Sequence, residues 1–244
     1  MNRLLEEQLA IDYCCTPAQV RDNSSHFCVY EPLEGRRRWR EGSACLLKIA
    51  CVNGKQLFAG SAPVLEACRE KYGEEGNPWF FEASNLRALD TLLAPFGGQV
   101  AMAHPFFVSD TPQETGSGGF DIRWYEEEEI GAFRGDDRFR EAFSFEPDAP
   151  DMLGVCAMQG GEILGMAGAS ADSERLWQIG IDVVPEARGR GIGVLLVRLL
   201  RNRILETGRL PFYGTGMSHI ASQRVALAAG FVPAWAELST EEKK

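Results

Sequence analysis

The chain has 244 residues, a formal net charge of -10 and a hydrophobic fraction of 45%. This composition supports a buried core and fits either one large domain or two of ordinary size. Because the protein as a whole is acidic, we expect it to bind neither nucleic acid nor anionic membranes, and any anionic ligand must be held by a local site.

The N-terminal stretch, MNRLLEEQLAIDYCC, carries Glu6 and Glu7 inside its only apolar run. A signal peptide needs an uncharged hydrophobic region, so this stretch does not fit one. No run of about 18 uncharged apolar residues occurs, which predicts no membrane span. We therefore expect a cytoplasmic protein. The seven cysteines include no CxxC pair, which indicates neither a disulfide framework nor a metal site.

Residues 1–115 form the first predicted domain, a small α+β unit without a recognisable motif. CLLKIACV (45–52) is typical of a strand, whereas 62–73 and 85–97 carry helical patterns of apolar residues. The basic cluster GRRRWR (35–40) is expected to be a solvated loop rather than a binding patch.

A linker is predicted over 109–120, where Gly, Ser, Thr and Pro accumulate. The acidic segment 121–143 follows and is expected to be helical in parts. Four consecutive glutamates (126–129) either form a solvated face or attract a cationic substrate. The pattern changes to strands from residue 152 onward.

The second predicted domain, residues 120–244, has the expected element order β-β-β-α-β-α-β. A glycine-rich hairpin lies around 159–161, and alternating apolar residues over 176–184 predict the third strand. The remaining elements are a helix at 192–208, a strand at 210–215, a helix at 218–230 and an extended run at 231–238. We predict an α/β (α+β) fold, with a mixed sheet flanked by helices.

Between the third strand and the first of these helices lies PEARGRGIGV, residues 185–194. A glycine-rich turn that leads into a helix leaves the first helical N–H groups unpaired, and these groups attract anions. Six arginines between Pro185 and Arg209, against two acids, make this stretch positive within an acidic chain. The turn lacks the lysine and hydroxyl of a P-loop, and it does not fit the spacing GxGxxG of a dinucleotide site.

The hexapeptide RGRGIG, with Arg188, Gly191 and Gly193, resembles the pyrophosphate signature [QR]xxGx[GA] of the GNAT acyltransferase superfamily. IDVVPEARGRGIG is similar to that family's strand and turn, and SHIASQRVALAAGF resembles its later helix ending in Gly-Phe. The resemblance covers about residues 120–240.

The resemblance implies that acetyl-CoA or another acyl-CoA is a cosubstrate, with no metal. It places the pyrophosphate on the turn and the pantetheine arm on exposed strand backbone, while the following strand diverges. The cofactor-binding residues implied are Ile181, Asp182, Val183, Arg188, Gly189, Arg190, Gly191, Ile192 and Gly193, with His219 and Ser222 as further candidates.

The activity implied is N-acetyl transfer to a primary amine, a small molecule or a peptide, by direct attack on the thioester. Two family features are missing, because His219 replaces an asparagine and Ala226 replaces a tyrosine that serves as an acid. The catalytic residues therefore stay unassigned, and Glu174 and Asp182 are only the nearest acids. A non-catalytic acyl-CoA sensor is the alternative.

The role of the first domain is open at this stage. It could shape the acceptor pocket, form a homodimer surface or be a decayed copy of the same fold.

Overall fold

The computed structural model describes residues 1–37 and 45–243. In chain order the elements are α1 (Arg3–Asp12), α2 (Pro17–Arg21), β1 (His26–Val29), β2 (Leu47–Val52), β3 (Lys55–Gly60), α3 (Ala62–Tyr72), α4 (Ala83–Leu93), β4 (Gly98–Val108), β5 (Asp121–Glu126), α5 (Glu127–Ile130), β6 (Asp151–Gln159), β7 (Glu162–Ser170), β8 (Leu176–Val183), α6 (Ile192–Glu206), β9 (Leu210–Gly214), α7 (Ile220–Ala228) and β10 (Val232–Glu242). None of the helices in this part of the chain has the length and apolar character needed to cross a membrane.

Most of the predicted elements are found, including the order β-β-β-α-β-α-β from β6 to β10. Segment 121–143 is helical in parts from residue 127 onward, as predicted, but residues 121–126 form a strand that was not predicted, β5, which pairs antiparallel with β6. The sequence pattern did not reveal this strand, because apolar Ile122 and Trp124 alternate with exposed Asp121 and Arg123 over only four residues before the buried Tyr125 interrupts the period.

The backbone contacts divide the chain into two compact units. The first contains residues 1–106 and 234–244, and the second contains residues 107–233. The last eleven residues, which the sequence analysis grouped with the second half, lie in the first unit because β10 pairs antiparallel with β2. The predicted linker belongs to the second unit, where the backbone of Gln113 exchanges two hydrogen bonds with the Asn202 side chain (3.2 and 2.6 Å).

In the second unit the strand order is β9-β8-β7-β6-β5. The β8–β9 pair is parallel and the other pairs are antiparallel, so the predicted mixed sheet is confirmed. Helix α6 buries Ile192, Leu196 and Leu200 in the main core cluster, together with residues of the central strands. A smaller cluster contains Phe139 and Phe143 from the segment that follows α5.

In the first unit the strand order is β1-β3-β2-β10-β4. Helices α3 and α4 contribute Leu65 and Leu89 to a core with Ile49 and Phe58. Within the basic cluster 35–40, residues 38–40 lie outside the described residues. Arg37 is not solvated as expected, because it is buried and pairs with Asp12 (2.5 Å) and Glu237.

Candidate functional site

Strand β8 is paired as far as its C-terminal end on one edge, whereas its pairing on the other edge stops early. On the first edge, Gln178 to Val183 pair with β7. On the second edge, the register with β9 covers only Leu176 to Gln178. In the part of the chain that the structure describes, residues 179–183 therefore have no strand paired to them on the β9 side. We call this gap between β8 and β9 the opening.

Backbone groups of β8 face the opening. Val184 donates its N–H to the carbonyl of Leu164 on the β7 side (3.0 Å). Because consecutive residues of a strand direct their backbone groups to opposite edges, Ile181 and Val183 direct theirs toward the opening. The Val183 carbonyl accepts a hydrogen bond from Arg188 Nε (3.2 Å). The N–H and C=O of Ile181 are thus the groups best placed to bind an amide in the opening.

The glycine-arginine turn follows immediately after the opening. Gly189 and Gly191 adopt φ values of 78° and 81°, in the left-handed region that favours glycine. No described atom lies within 4 Å of the position that a Cβ would occupy at either residue. Gly191 is the N-cap of α6 and has no side chain to offer, so the first N–H groups of the helix lack a side-chain cap. This arrangement is suited to binding a phosphate.

Gly193, the third glycine of the turn, differs from Gly189 and Gly191 in its environment. It is buried, and a Cβ built there would lie 3.6 Å from Val225 and 3.7 Å from Val183, in ordinary van der Waals contact. Its side-chain position therefore faces the interior between β8 and α7. Of the three glycines, Gly189 and Gly191 are the ones whose open Cβ positions leave room for a ligand to approach the backbone.

The six arginines of this stretch do not all face the turn. Arg198 and Arg201 donate to the carbonyls of Ala228 and Ala229 (2.5 and 2.6 Å), at the C-terminal end of α7. Arg188 and Arg190 are the exposed arginines of the turn itself. Arg190 donates to the neutral Gln159 side chain (2.8 Å) and keeps its charge, so two arginines rather than six make the turn itself positive.

The two further cofactor candidates lie on α7 and differ in environment. His219 is the exposed N-cap residue and makes no side-chain cap hydrogen bond. Ser222 is half-buried and lies 2.9 Å from the hydroxyl of Tyr213, a buried residue on β9 just past the last pair with β8. Ala226, which replaces the family's tyrosine, is fully buried.

Burial raises the pKa of Tyr213, and the carboxylates of Asp182 and Glu141 raise it further, against an opposing effect of the Ser222 hydrogen bond. A tyrosine with a raised pKa stays protonated at neutral pH and can donate a hydrogen bond. From sequence alone, Tyr213 in the strand predicted over 210–215 is expected to lie in the core or to line a channel rather than to act as a catalyst. Its pairing with Ser222 depends on how β9 and α7 meet, and no local pattern reveals that.

Asp182 on β8 accepts hydrogen bonds from a segment that crosses one face of the sheet. Its Oδ2 accepts the backbone N–H groups of Glu141 (2.8 Å) and Ala142 (3.0 Å). We call residues 137–143, which begin with a short 3-10 turn, the strap. Burial raises the pKa of Asp182 despite these hydrogen bonds. Glu174, the other acid considered, lies before the opposite end of β8, about 25 Å away along the strand.

The strap lies directly on a row of glycines. Gly154, Gly168 and Gly180 are register partners across β6, β7 and β8. A Cβ at Gly180 would come within 1.8 Å of the Glu141 carbonyl oxygen, and one at Gly168 within 2.0 Å of the Ala142 oxygen. The bare backbone therefore lets the strap approach closely, which brings the exposed Glu141 carboxylate to the end of β8 that borders the opening.

Among residues 1–37 and 45–243, no group of three or more His, Cys, Asp or Glu side chains could hold a metal ion. Each named cofactor candidate from Ile181 to Gly193 lies at the opening or at the turn. The structure also brings together residues that the sequence analysis did not connect, namely Tyr213 with Ser222 and Asp182 with the strap.

Comparison with solved structures finds similar GNAT proteins. A GCN5-related N-acetyltransferase-like protein from Streptococcus suis is 14% identical, with a TM-score of 0.48, over 86% of this chain and 89% of that one. A GCN5-related N-acetyltransferase from Kribbella flavida is 17% identical, with a TM-score of 0.44, over 63% of each chain. A tandem GNAT protein from the clavulanic acid biosynthesis pathway is 15% identical, with a TM-score of 0.45, over 63% of this chain and 58% of that one. The alignment thus spans less than two thirds of the last two proteins.

No curated protein matches the chain in sequence. The model of the Acetyltransferase (GNAT) family matches residues 120–231. That range contains β5 to β9, the opening, the glycine-arginine turn, and helices α6 and α7. The resemblance predicted for the C-terminal half is confirmed: over residues 120–231 the chain matches the GNAT acetyltransferase family.

Proposed function

We propose that the protein is an N-acetyltransferase that uses acetyl-CoA as its cosubstrate and a primary amine as its acceptor. The second unit carries the reaction in this proposal. Support comes from the family match over residues 120–231, since the GNAT family acts with acetyl-CoA or related CoA derivatives. The acceptor is a small molecule or a peptide that presents an unprotonated amine.

One observation carries the proposal: the opening lies directly before the turn. An unpaired strand edge can bind the amides of a pantetheine arm by the same hydrogen bonds that would bind another strand. The uncapped N–H groups at the start of α6 suit a pyrophosphate. Because the opening and the turn are consecutive in the chain, one extended molecule with a phosphate at one end fits both.

The proposed reaction is a direct transfer. The amine nitrogen bonds to the thioester carbonyl carbon, the C–S bond breaks, CoA leaves as a thiolate, and the nitrogen loses a proton. The Ile181 N–H, which faces the opening, would stabilise the developing negative charge on the carbonyl oxygen. Tyr213 would donate its proton to the thiolate and recover one through Ser222. Glu141, or a water molecule bound to it, would accept the proton of the amine.

The test measures the free thiol of CoA that the full chain releases from acetyl-CoA. The candidate acceptors are primary amines that are cationic at neutral pH and amines that are neutral there, and compounds without an amino group serve as controls. We expect amine-dependent release and an N-acetylated product of matching mass. Binding of acetyl-CoA without turnover of any amine in a broad panel would instead favour the sensor. Absence of acetyl-CoA binding by the folded protein would contradict both functions.

A further inference from the structure

Three cysteines of the first unit lie together, outside the site described above. Cys14 and Cys15 follow helix α1, and Cys28 lies on strand β1. All three are half-buried, and each carries a free thiol. We call Cys14, Cys15 and Cys28 the thiol cluster.

The register of the sheet places Cys28 on the face that α1 covers. Cys28 is the partner of Ala59 on β3, and Ala59 is the partner of Lys48 on β2, so the three side chains lie on one face. The ammonium group of Lys48 lies 5.1 Å from the ring centre of Tyr13, the C-cap residue of α1. The two cysteines that follow Tyr13 directly are therefore on the same side of the sheet as Cys28.

The end of α1 brings Cys14 to the end of β1. Cys14 has a φ of 53°, in the left-handed region, and the N–H of Cys15 donates to the carbonyl of Ala10 (2.9 Å), so the helix ends in a Schellman turn. The sulfur of Cys14 accepts the N–H of Glu31 (3.2 Å) and donates to the Glu31 carbonyl (3.3 Å). Glu31 lies three residues after Cys28, so these contacts bring the Cys14 thiol close to the strand that carries Cys28.

The ionisation of the three thiols is coupled. Burial, and then the nearby thiol of Cys28, raise the pKa of Cys15 to about 12. Burial also raises the pKa of Cys28, with a further contribution from Cys14. Because the thiolate is the form that attacks a disulfide, Cys15 and Cys28 are poor first nucleophiles at neutral pH. Cys14, whose contacts with Glu31 lie at the surface, is the thiol best placed for the first step.

We propose that the thiol cluster is a site of thiol–disulfide exchange, at which Cys14 reacts with a small disulfide and Cys28 then closes a disulfide within the protein. In the first step the Cys14 thiolate attacks one sulfur of the small disulfide, and the other half leaves as a thiolate. In the second step the Cys28 thiol loses its proton, its sulfur bonds to the Cys14 sulfur, and the second half leaves. The two protein thiols are oxidised, and the small disulfide is reduced to two thiols. Neither step uses acetyl-CoA, so the exchange is independent of the proposed function.

The experiment treats the folded, reduced chain with oxidised glutathione at neutral pH. The reaction is stopped with an excess of maleimide in denaturant, and intact mass gives the number of blocked thiols and of bound glutathiones. We expect two fewer blocked thiols than the seven of the reduced chain, and no bound glutathione. Treatment with an excess of a reduced dithiol should restore all seven thiols.

Three serine variants make the test specific. Cys28→Ser should retain one bound glutathione and form no internal disulfide, and Cys28→Ala serves as a second variant at this half-buried position. Cys14→Ser should slow the loss of free thiols by at least about tenfold, because the other two thiols of the cluster are largely protonated. Cys51→Ser is the matched control in the same unit. Its side chain packs against the core on the other face of the sheet, with α3 and α4, and the change should leave the rate and the product as they are in the original protein.

Each contrary outcome overturns a stated part of the proposal. Loss of two thiols in Cys28→Ser would show that the internal disulfide joins other cysteines. A glutathione that stays bound to the original protein, without an internal disulfide, would show that Cys28 does not reach Cys14. A Cys14→Ser variant that reacts at the original rate would exclude Cys14 as the first nucleophile. Seven free thiols after prolonged treatment of the original protein would overturn the site as a whole.

Discussion

Two strand-to-helix junctions, one in each unit, share a local plan and differ in what they leave open. In the first unit β3 leads into α3, and in the second unit β8 leads into α6. Each of these strands has an antiparallel partner on one edge and a parallel partner on the other. Neither helix receives a side-chain hydrogen bond at its N-cap.

The junction of the first unit is closed. Strand β3 is paired with β2 over its full length and with β1 up to Gly60, its last residue. A single residue, Ser61, separates the strand from α3, and its N–H is bonded to the Leu46 carbonyl (3.0 Å). A Cβ at Gly60 would come within 2.5 Å of the same oxygen. The space that a ligand arm would need is filled by the protein's own backbone.

The junction of the second unit is open on one edge and continues into an eight-residue connection with two left-handed glycines. The difference shows that an uncapped helix N-terminus is common to both units and does not by itself make a site. The unpaired strand edge and the bare turn together distinguish the second unit. The experiments below test whether that distinction controls acetyl-CoA binding.

The largest effect is expected for Gly191→Asp. Asp adopts the left-handed region more readily than most residues, so the fold should be retained, but its carboxylate would cap the first N–H groups of α6 and repel a phosphate. We expect acetyl-CoA affinity, measured by calorimetry, to fall by at least about 100-fold, the equivalent of two to three lost hydrogen bonds.

Two matched controls accompany this variant. Ser61→Asp places the same acid at the N-cap of α3, and Gly54→Asp makes the same change at a glycine with φ of 79° and no atom near its Cβ position. Both should bind acetyl-CoA as the original protein does. Equal loss of affinity in Ser61→Asp would remove the distinction between the two junctions.

Tyr213→Phe should separate binding from chemistry at the open junction. The variant removes the hydroxyl that pairs with Ser222 and retains the ring in the core. Loss of a general acid typically costs two to four orders of magnitude, so we expect kcat to fall by about 100-fold, with the dissociation constant of acetyl-CoA unchanged. A kcat within about threefold of the original value would exclude Tyr213 as the acid.

Gly60→Ala should affect stability and not binding. The added Cβ meets the Leu46 oxygen, and overpacking of this kind costs about 2 kcal/mol of unfolding free energy. Denaturant unfolding measures the loss, and calorimetry on the folded variant should return the original acetyl-CoA affinity. Weaker acetyl-CoA binding by the folded variant would show that the first unit's junction contributes to the site.

The smallest effect concerns the pH dependence of the second unit. Burial raises the pKa of Asp182 above its ordinary value of 3.8. The folded state therefore binds the proton of the Asp182 carboxyl group more tightly than the unfolded chain does. The stability contributed by this group is complete below about pH 4 and is lost as the pH rises through the raised pKa. Asp182→Asn does not titrate, and its amide oxygen can still accept the N–H groups of the strap.

We therefore expect the unfolding free energy of Asp182→Asn, relative to that of the original protein, to increase as the pH rises from about 4 toward 7. Urea unfolding at several pH values measures the difference. A relative stability that decreases over this interval would mean that the charged carboxylate stabilises the strap, contrary to the expected direction.

The sequence predicted the elements of the second unit well because its strands and helices carry clear periods. Trp177 and Ile179 alternate with Gln178 and Gly180, and Leu196 and Leu200 follow helical spacing. The glycine-arginine turn was predictable for the same reason, since its residues are consecutive in the chain. Structural features that depend on a single short stretch of the sequence could therefore be predicted.

The position of the strap could not be predicted, because the glycine row on which it packs depends on the register of β6, β7 and β8. A two-residue turn at Gly160 and Gly161 would by itself place Gly154 opposite Ala167. The register shift between Ala157 and Met158 moves Gly154 opposite Gly168 instead and so completes the glycine row. The pairing of Tyr213 with Ser222 likewise depends on tertiary packing. The contact between the Gly193 position and Val225 also depends on tertiary packing, so the sequence neighbours of Gly193 do not reveal it.

The most direct test of the central claim is the stoichiometry of acetyl-CoA binding, determined by titration calorimetry on the full chain with ATP and NAD titrated in parallel. Because only the junction between β8 and α6 is open, we expect one acetyl-CoA per chain and no comparable binding of ATP or NAD. Among the aspartate variants, Gly191→Asp alone should lose the acetyl-CoA site. Two sites per chain, or one site that survives in Gly191→Asp and is lost in Ser61→Asp, would contradict the account.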